Sequence, residues 1–144
     1  MKFLIFIFLI FSIKTFAHHP GNKIEANKPY PSVNLEILKD NMDGYNLYIK
    51  LENFVLTPED VGQKNQPNSG HMHLYVNDIK IGRVYSNWFH IPGRYFNLKE
   101  NIIKITLNSN LHDSFTINGN PIESEIKIKK NSITLDKATK NDEG

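Results

Sequence analysis

The chain has 144 residues, with 17 basic and 15 acidic side chains, a formal net charge of +2 at pH 7 and no cysteine. Without cysteine there is no disulfide framework and no thiolate ligand, so apolar packing must stabilise the fold. Any metal ligand must come from histidine, methionine, a carboxylate or an amino terminus. The nearly balanced charge does not indicate binding to nucleic acid or to an anionic membrane, which requires clustered lysine and arginine.

Residues 1–17 have the pattern of a secretory signal peptide. Lys2 gives a positive start, an apolar run follows over residues 3–13, and Ala17 ends a cleavage site of small residues. The apolar run is shorter than the ~20 residues that a membrane span needs, which favours cleavage over a membrane anchor. We therefore expect a periplasmic or secreted protein that has no membrane span after cleavage and begins at His18.

The rest of the chain divides into three segments by composition. Residues 18–32 contain three prolines and little periodicity, which predicts an extended arm. Residues 33–128 carry the regular patterns of a folded domain. Residues 129–144 are polar and predict a C-terminal tail.

Within residues 33–128, apolar and polar residues alternate in short runs separated by turn sequences. Such alternation is typical of half-buried strands. The predicted strands, in chain order, cover residues 33–37, 45–52, 71–76, 79–85, 88–91, 103–107, 115–117 and 122–128. A single helical turn is predicted at residues 57–60, and a loop at residues 62–70. Seven to eight short strands without a long helical pattern predict an all-β, antiparallel β-sandwich of immunoglobulin-like topology, with a small barrel as the alternative.

The sequence His71-Met72-His73 lies in a predicted strand, so both imidazoles point to one face of the sheet. Met72, Leu74 and Val76 occupy the opposite face and are the expected core residues. Two imidazoles at positions i and i+2 are ~7 Å apart along a strand and can reach one ion between them. The alternative is an exposed polar pair that binds nothing.

Two further histidines lie elsewhere in the domain. His90 follows Trp88, and we expect it either to join a metal site or to be half-buried with a hydrogen bond to a backbone carbonyl. His112 lies in a loop after the predicted strand 103–107. It can approach His71 and His73 if that strand lies beside strand 71–76, and Asp113 is a candidate to orient it.

His18 is a candidate ligand of a different kind. Cleavage after Ala17 would give His18 a free α-amine, which can chelate one ion together with the Nδ1 atom of its imidazole. A second imidazole from elsewhere would complete a three-nitrogen site suited to copper. The alternative is that His18 and His19 belong to a polar arm without a ligand.

Several motifs of this domain resemble those of small exported bacterial proteins with a Gly-His-x-His-Leu pattern. The resemblance spans residues 33–128 and rests on the segments 70–77, 88–93, 105–108 and 119–122, together with His112. It implies export and a β-sandwich, and its repeated histidine positions imply a shared site of His71, His73, His90 and His112. In size, architecture and a mature chain that begins with histidine, the sequence is loosely similar to CopC-type periplasmic copper carriers, although it has no counterpart of their other ligand motifs.

We therefore expect a metal-binding carrier or buffer, for copper before zinc, with ligands from His71, His73, His90 and His112 and with His18 as a further candidate ligand. The alternative is a binding module without metal that recognises an envelope protein or a glycan through its aromatic side chains. An enzyme is not expected, because the chain has no Gly-x-Ser-x-Gly elbow and no His-Glu-x-x-His motif.

Overall fold

A computed structural model describes residues 22–129, which form an all-β sandwich of two sheets. The strands are β1 (Lys23–Glu25), β2 (Ser32–Lys39), β3 (Tyr45–Glu52), β4 (Val55–Leu56), β5 (Ser69–Val76), β6 (Ile79–Val84), β7 (Trp88–Ile91), β8 (Glu100–Ser109), β9 (Ser114–Ile117), β10 (Asn120–Pro121) and β11 (Glu123–Lys129). Two 3-10 helices, Pro58–Asp60 and Gly93–Tyr95, interrupt them. The predictions for His18, the signal peptide and the C-terminal tail concern residues 1–21 and 130–144, which lie outside the described residues.

The strand order confirms the predicted sandwich. The small sheet has the order β2-β3-β7, and the large sheet contains the order β6-β5-β8-β11, with all of these neighbours antiparallel. In chain order these seven strands match A, B and E of an immunoglobulin-like sandwich on one side and C′, C, F and G on the other. Strand β9 extends the large sheet next to the end of β8.

The core lies between the sheets, where each strand directs every second side chain inward. The expected core residues Met72, Leu74 and Val76 are buried there, with exposed fractions of 0%, 0% and 2%. Leu47 and Ile91 of the small sheet belong to the same buried cluster. Alternation along β5 therefore leaves the side chains between the core residues on the outer face of the large sheet.

Three strands of two or three residues were not predicted from alternation. β1 lies within the expected arm and pairs in parallel with β9, and β4 pairs in parallel with the start of β5. β10 forms the return of the hairpin after β9. Strands this short carry too few residues to show a period, so their pairing depends on neighbouring strands.

The loop between β4 and β5 is shorter than predicted, because β5 begins at Ser69 rather than at His71. Gly70 pairs there with Ser109 of β8, and a Cβ atom at this position would overlap the backbone carbonyl oxygen of Asn108. The glycine therefore lets β5 approach β8 closely just before His71. None of the helices in residues 22–129 has the length and apolar character needed to cross a membrane.

Candidate metal centre

The outer face of β5 holds two buried histidines. His71 and His73 point away from the core as predicted, but they are not exposed: their exposed fractions are 0% and 4%. His71 is paired with Asn108 of β8, and His73 with Thr106 of the same strand. The centre of the large sheet therefore presents two imidazoles that are shielded from water on the side opposite the core.

The third histidine comes from the turn between β8 and β9. Because β8 is antiparallel to β5 and lies beside it, the end of β8 brings His112 close to the start of β5. His112 has a φ of 68°, in the left-handed region, where histidine is uncommon but less unfavourable than a branched residue. The Ser109 amide donates to the Asp113 carbonyl oxygen at 2.9 Å, and the His112 amide donates to the Ser109 carbonyl oxygen at 2.9 Å.

The loop between β4 and β5 fixes this turn from the outside. The Asn65 side chain accepts a hydrogen bond from the Leu111 amide at 3.1 Å and donates one to the Asp113 carboxylate at 3.0 Å. It therefore holds the residues on both sides of His112. Asp113, which we considered as an orienting partner of His112, has its carboxylate engaged by Asn65.

Three ring nitrogens of these histidines converge on a small volume. The Nε2 atoms of His71 and His73 are 2.9 Å apart, and Nδ1 of His112 is 3.4 Å from Nε2 of His73. One ligand atom from each residue lies within 4.8 Å of the others. Two nitrogens bound to one ion at about 2.0–2.1 Å are about 2.9–3.4 Å apart when the angle between them is roughly 90–110°. The two separations from Nε2 of His73 fall within this range.

The hydrogen-bonding groups within the cluster are incompletely matched. Nε2 of His73 lies 2.9 Å from Nε2 of His71 and 2.9 Å from the Lys80 Nζ. A ring nitrogen has one hydrogen-bonding position, so it cannot form a full hydrogen bond with both neighbours at once. Nδ1 of His71 is buried and has no hydrogen-bond partner in the described part of the chain. A cation bound by the lone pairs of the three imidazoles would use the nitrogens that face one another here.

Burial keeps these histidines neutral. Loss of hydration lowers the pKa of His71 from 6.5 to about 4, with smaller contributions from the charges of His112, Arg83 and Lys80. Loss of hydration lowers the pKa of His73 to about 3, and Lys80 is the next cause. The pKa of His112 is also lowered, by burial and then by Lys80 and Arg83, while Asp113 opposes the shift. A neutral imidazole is the form that binds a metal ion.

Lys80 and Arg83 place positive charge beside the cluster. Arg83 is the cross-strand partner of His73 because the β5–β6 pairing shifts register between Leu74 and Tyr75. Val76 pairs with Ile79 across the two-residue turn between β5 and β6, and continuing this register without the shift would place Gly82 opposite His73. The histidine pattern gave no indication of these two cations. Counting residue pairs away from this turn places Lys80 opposite Tyr75, on the face of the sheet that carries His71 and His73. The same count does not place Arg83 on that face.

His90 is not part of this cluster, which corrects its expected place in a shared site. It lies in β7 of the small sheet, opposite Asn46 of β3, and its Nε2 atom is 2.7 Å from the Asp43 carbonyl oxygen. It is partly buried beside Trp88, as the alternative interpretation predicted. The physical reason is topological: β7 belongs to the opposite sheet from β5.

Comparison of the chain with protein-family models, with curated proteins and with solved structures finds no significant match in any of the three. The site is therefore defined by its own geometry. It consists of three neutral or nearly neutral imidazoles, two of them buried, with two cationic side chains at its edge. A group of three close histidines of this kind can hold a metal ion.

Proposed function

We propose that this protein is an exported metal-binding protein that works as a carrier or buffer in the periplasm or outside the cell. The observation that carries the proposal is the convergence of His71, His73 and His112, whose ligand atoms lie within 4.8 Å of one another. Binding rather than catalysis is the activity proposed. The signal-peptide pattern of residues 1–17 supports export.

Exchange of the metal is favoured by the way the three ligands are placed. Structural zinc sites are closed by four protein ligands, whereas here three histidines leave a further position for water or another donor. His112 is exposed, so the ion can be reached from solvent on that side. A site that is buried at His71 and His73 and exposed at His112 suits a protein that takes up an ion and releases it.

Copper is the metal we propose first, with zinc as the alternative. Imidazole nitrogens suit both ions, and a site of given ligands binds Cu(II) more tightly than Zn(II). His18 would add an α-amine and an imidazole if the mature chain begins there. The loose similarity to CopC-type carriers points in the same direction.

The direct test is a metal titration of the mature protein, with its amino terminus confirmed by mass spectrometry. We expect one Cu(II) or Zn(II) per chain with a Kd below about 1 μM in isothermal calorimetry or competition with a chromophoric chelator. The double variant His71→Ala/His73→Ala should lose this binding. His90→Ala is the matched control and should keep it, because His90 lies in the other sheet. Absence of binding by the unmodified protein to either ion would refute the proposal.

A second candidate function is recognition of an envelope glycan or protein, and one observation favours it. Tyr48 and Trp88 are cross-strand neighbours on the outer face of the small sheet, with exposed fractions of 43% and 49%. Paired exposed aromatics beside the Asn46 amide can stack on a sugar ring or pack in a protein interface. Trp88 is the only tryptophan, so its fluorescence reports on this face during titration with soluble cell-wall fragments. An unchanged spectrum would argue against this candidate.

A further inference from the structure

The charges around the histidine cluster are unusual for a site that takes a cation. Lys80 and Arg83 lie at its edge, and the Lys80 Nζ is only 2.9 Å from Nε2 of His73. Neither side chain forms a salt bridge within residues 22–129, where the two ion pairs are Lys50–Glu52 and Lys104–Asp78. No carboxylate belongs to the group of ligands found in the same part of the chain.

A metal ion bound here would create a strong local excess of positive charge. Three neutral imidazoles contribute no negative charge, so a divalent ion keeps its full charge next to an ammonium and a guanidinium group. Like charges a few ångströms apart repel strongly when solvent screening is incomplete. Within residues 22–129, Asp113 is the one carboxylate whose charge acts on His112, where it opposes the lowering of the pKa. Its side chain accepts a hydrogen bond from Asn65 at 3.0 Å and is not one of the ligands, and a single negative charge does not balance a divalent ion together with two cations.

The coordination of the ion leaves room for a charge-balancing ligand. A three-histidine site has an open fourth position, which water or another donor fills. Both cationic side chains are exposed and flexible at their ends, so they can turn toward a ligand at the outer side of the ion. The Lys80 ammonium occupies part of the space in front of Nε2 of His73, and repulsion from an incoming ion would move it outward.

We propose that the metal-loaded site binds a small anion through an oxygen donor, which occupies the open position on the ion and pairs with Lys80 and Arg83. The inference rests on the proposed metal-binding function and gives that site a second ligand. The chemical class is a carboxylate or an inorganic oxyanion, since both present an anionic oxygen to the metal and further oxygens to ammonium and guanidinium donors. The protein would then carry the ion as a ternary complex with this anion.

Cobalt(II) provides a probe, because its visible absorption reports the donors and geometry of a histidine site. The mature protein is loaded with Co(II) in a chloride-free, non-coordinating buffer, with sodium perchlorate keeping the ionic strength constant. It is then titrated separately with acetate, with inorganic phosphate and with acetamide, the uncharged analogue of acetate. We expect acetate or phosphate to change the spectrum saturably and acetamide to leave it unchanged.

The variant Lys80→Met/Arg83→Met tests the role of the two cations. We expect its Co(II) form to bind the anion about tenfold more weakly than the unmodified protein. The matched control Arg94→Met/Lys127→Met removes two exposed cations elsewhere and should bind the anion normally. The acetate and phosphate arms distinguish a carboxylate from an inorganic oxyanion as the preferred ligand.

The failures can be told apart. If Co(II) binds with a histidine-type spectrum that neither anion alters, the anion proposal is wrong and the metal-binding function stands. If the anion binds equally well to Lys80→Met/Arg83→Met, the pairing with the two cations is wrong. If neither Co(II), Cu(II) nor Zn(II) binds to the unmodified protein, both the proposed function and this inference are refuted.

Discussion

The histidines on the outer faces of the two sheets have different surroundings. On the small sheet, His90 is partly buried, and its Nε2 atom meets the Asp43 carbonyl oxygen at 2.7 Å. On the large sheet, His71 and His73 are buried with their Nε2 atoms facing each other at 2.9 Å, and His112 approaches from a turn. The small-sheet imidazole has an ordinary partner. In the large-sheet cluster, Nε2 of His73 has several close neighbours, while the buried Nδ1 of His71 has no partner within residues 22–129. The comparison shows that convergence of ring nitrogens, rather than the number of histidines, indicates a candidate metal site.

The largest expected difference between the two faces is in acid stability. In metal-free protein, His71 and His73 stay neutral down to pKa values of about 4 and about 3. In the unfolded chain they regain the ordinary value of about 6.5, so unfolding takes up protons as the pH falls below 6.5 and stability decreases. We expect the free energy of unfolding to fall by about 4 kcal/mol between pH 7 and pH 5, measured by urea denaturation with EDTA present.

His90→Gln is the control for acid stability and should show the same loss between pH 7 and pH 5. The carboxylates with lowered pKa values, such as Glu25 and Asp40, affect stability mainly below this range. Equal urea midpoints at pH 7 and pH 5 would show that the two buried histidines do not remain neutral in the folded protein.

The second prediction concerns stabilisation by metal. Free Cu(II) or Zn(II) at 100 times its Kd should raise the free energy of unfolding by about 2.7 kcal/mol. His112→Asn removes one ligand while tolerating the φ of 68°. At the same metal concentration this variant should retain less than half of the gain, measured by thermal unfolding, and His90→Asn should retain all of it. A full gain in His112→Asn would exclude His112 from the site.

The third prediction concerns the support of His112. Asn65→Ala removes both side-chain hydrogen bonds that hold the turn on either side of His112. Residues that orient metal ligands typically change metal affinity by about 10–100-fold, and we expect a loss of about tenfold here. The measurement is competition with a chelator. Asn46→Ala, which removes an amide on the small sheet, should leave the affinity unchanged.

The fourth prediction concerns repulsion at the edge of the cluster. Lys80→Met removes the ammonium group that lies 2.9 Å from Nε2 of His73. In anion-free buffer we expect it to strengthen metal binding by about threefold, since an exposed charge is partly screened. Lys50→Met on the small sheet is the control. Weaker metal binding by Lys80→Met would mean that Lys80 supports the site.

The smallest effect is expected for a neighbour of His71. The ring of Tyr85 is 5.8 Å from that of His71, and its buried hydroxyl has no hydrogen-bond partner within residues 22–129. Tyr85→Phe removes a polar group that gains nothing from its surroundings, so the free energy of unfolding should change by less than about 1 kcal/mol. A larger loss in urea denaturation would reveal a partner for the hydroxyl, such as an ordered water.

The strands and the core could be predicted from the sequence. Met72, Leu74 and Val76 alternate with polar residues, and alternation with a period of two assigns residues to faces before any pairing is known. The same argument assigned His71 and His73 to one face. The break between the predicted strands 71–76 and 79–85 could be placed at Asn77 and Asp78 for a similar reason, because turn residues act through local backbone preferences.

The site itself required tertiary structure. The burial of His71 and His73 depends on what covers the outer face, which includes the His112 turn. Whether His112 or His90 joins them depends on which strands share a sheet, and Arg83 reaches the cluster only through a register shift in β6. Local periodicity determined which way each side chain points. Strand pairing between distant segments decided which side chains meet, because contacts at long sequence separation leave no local pattern.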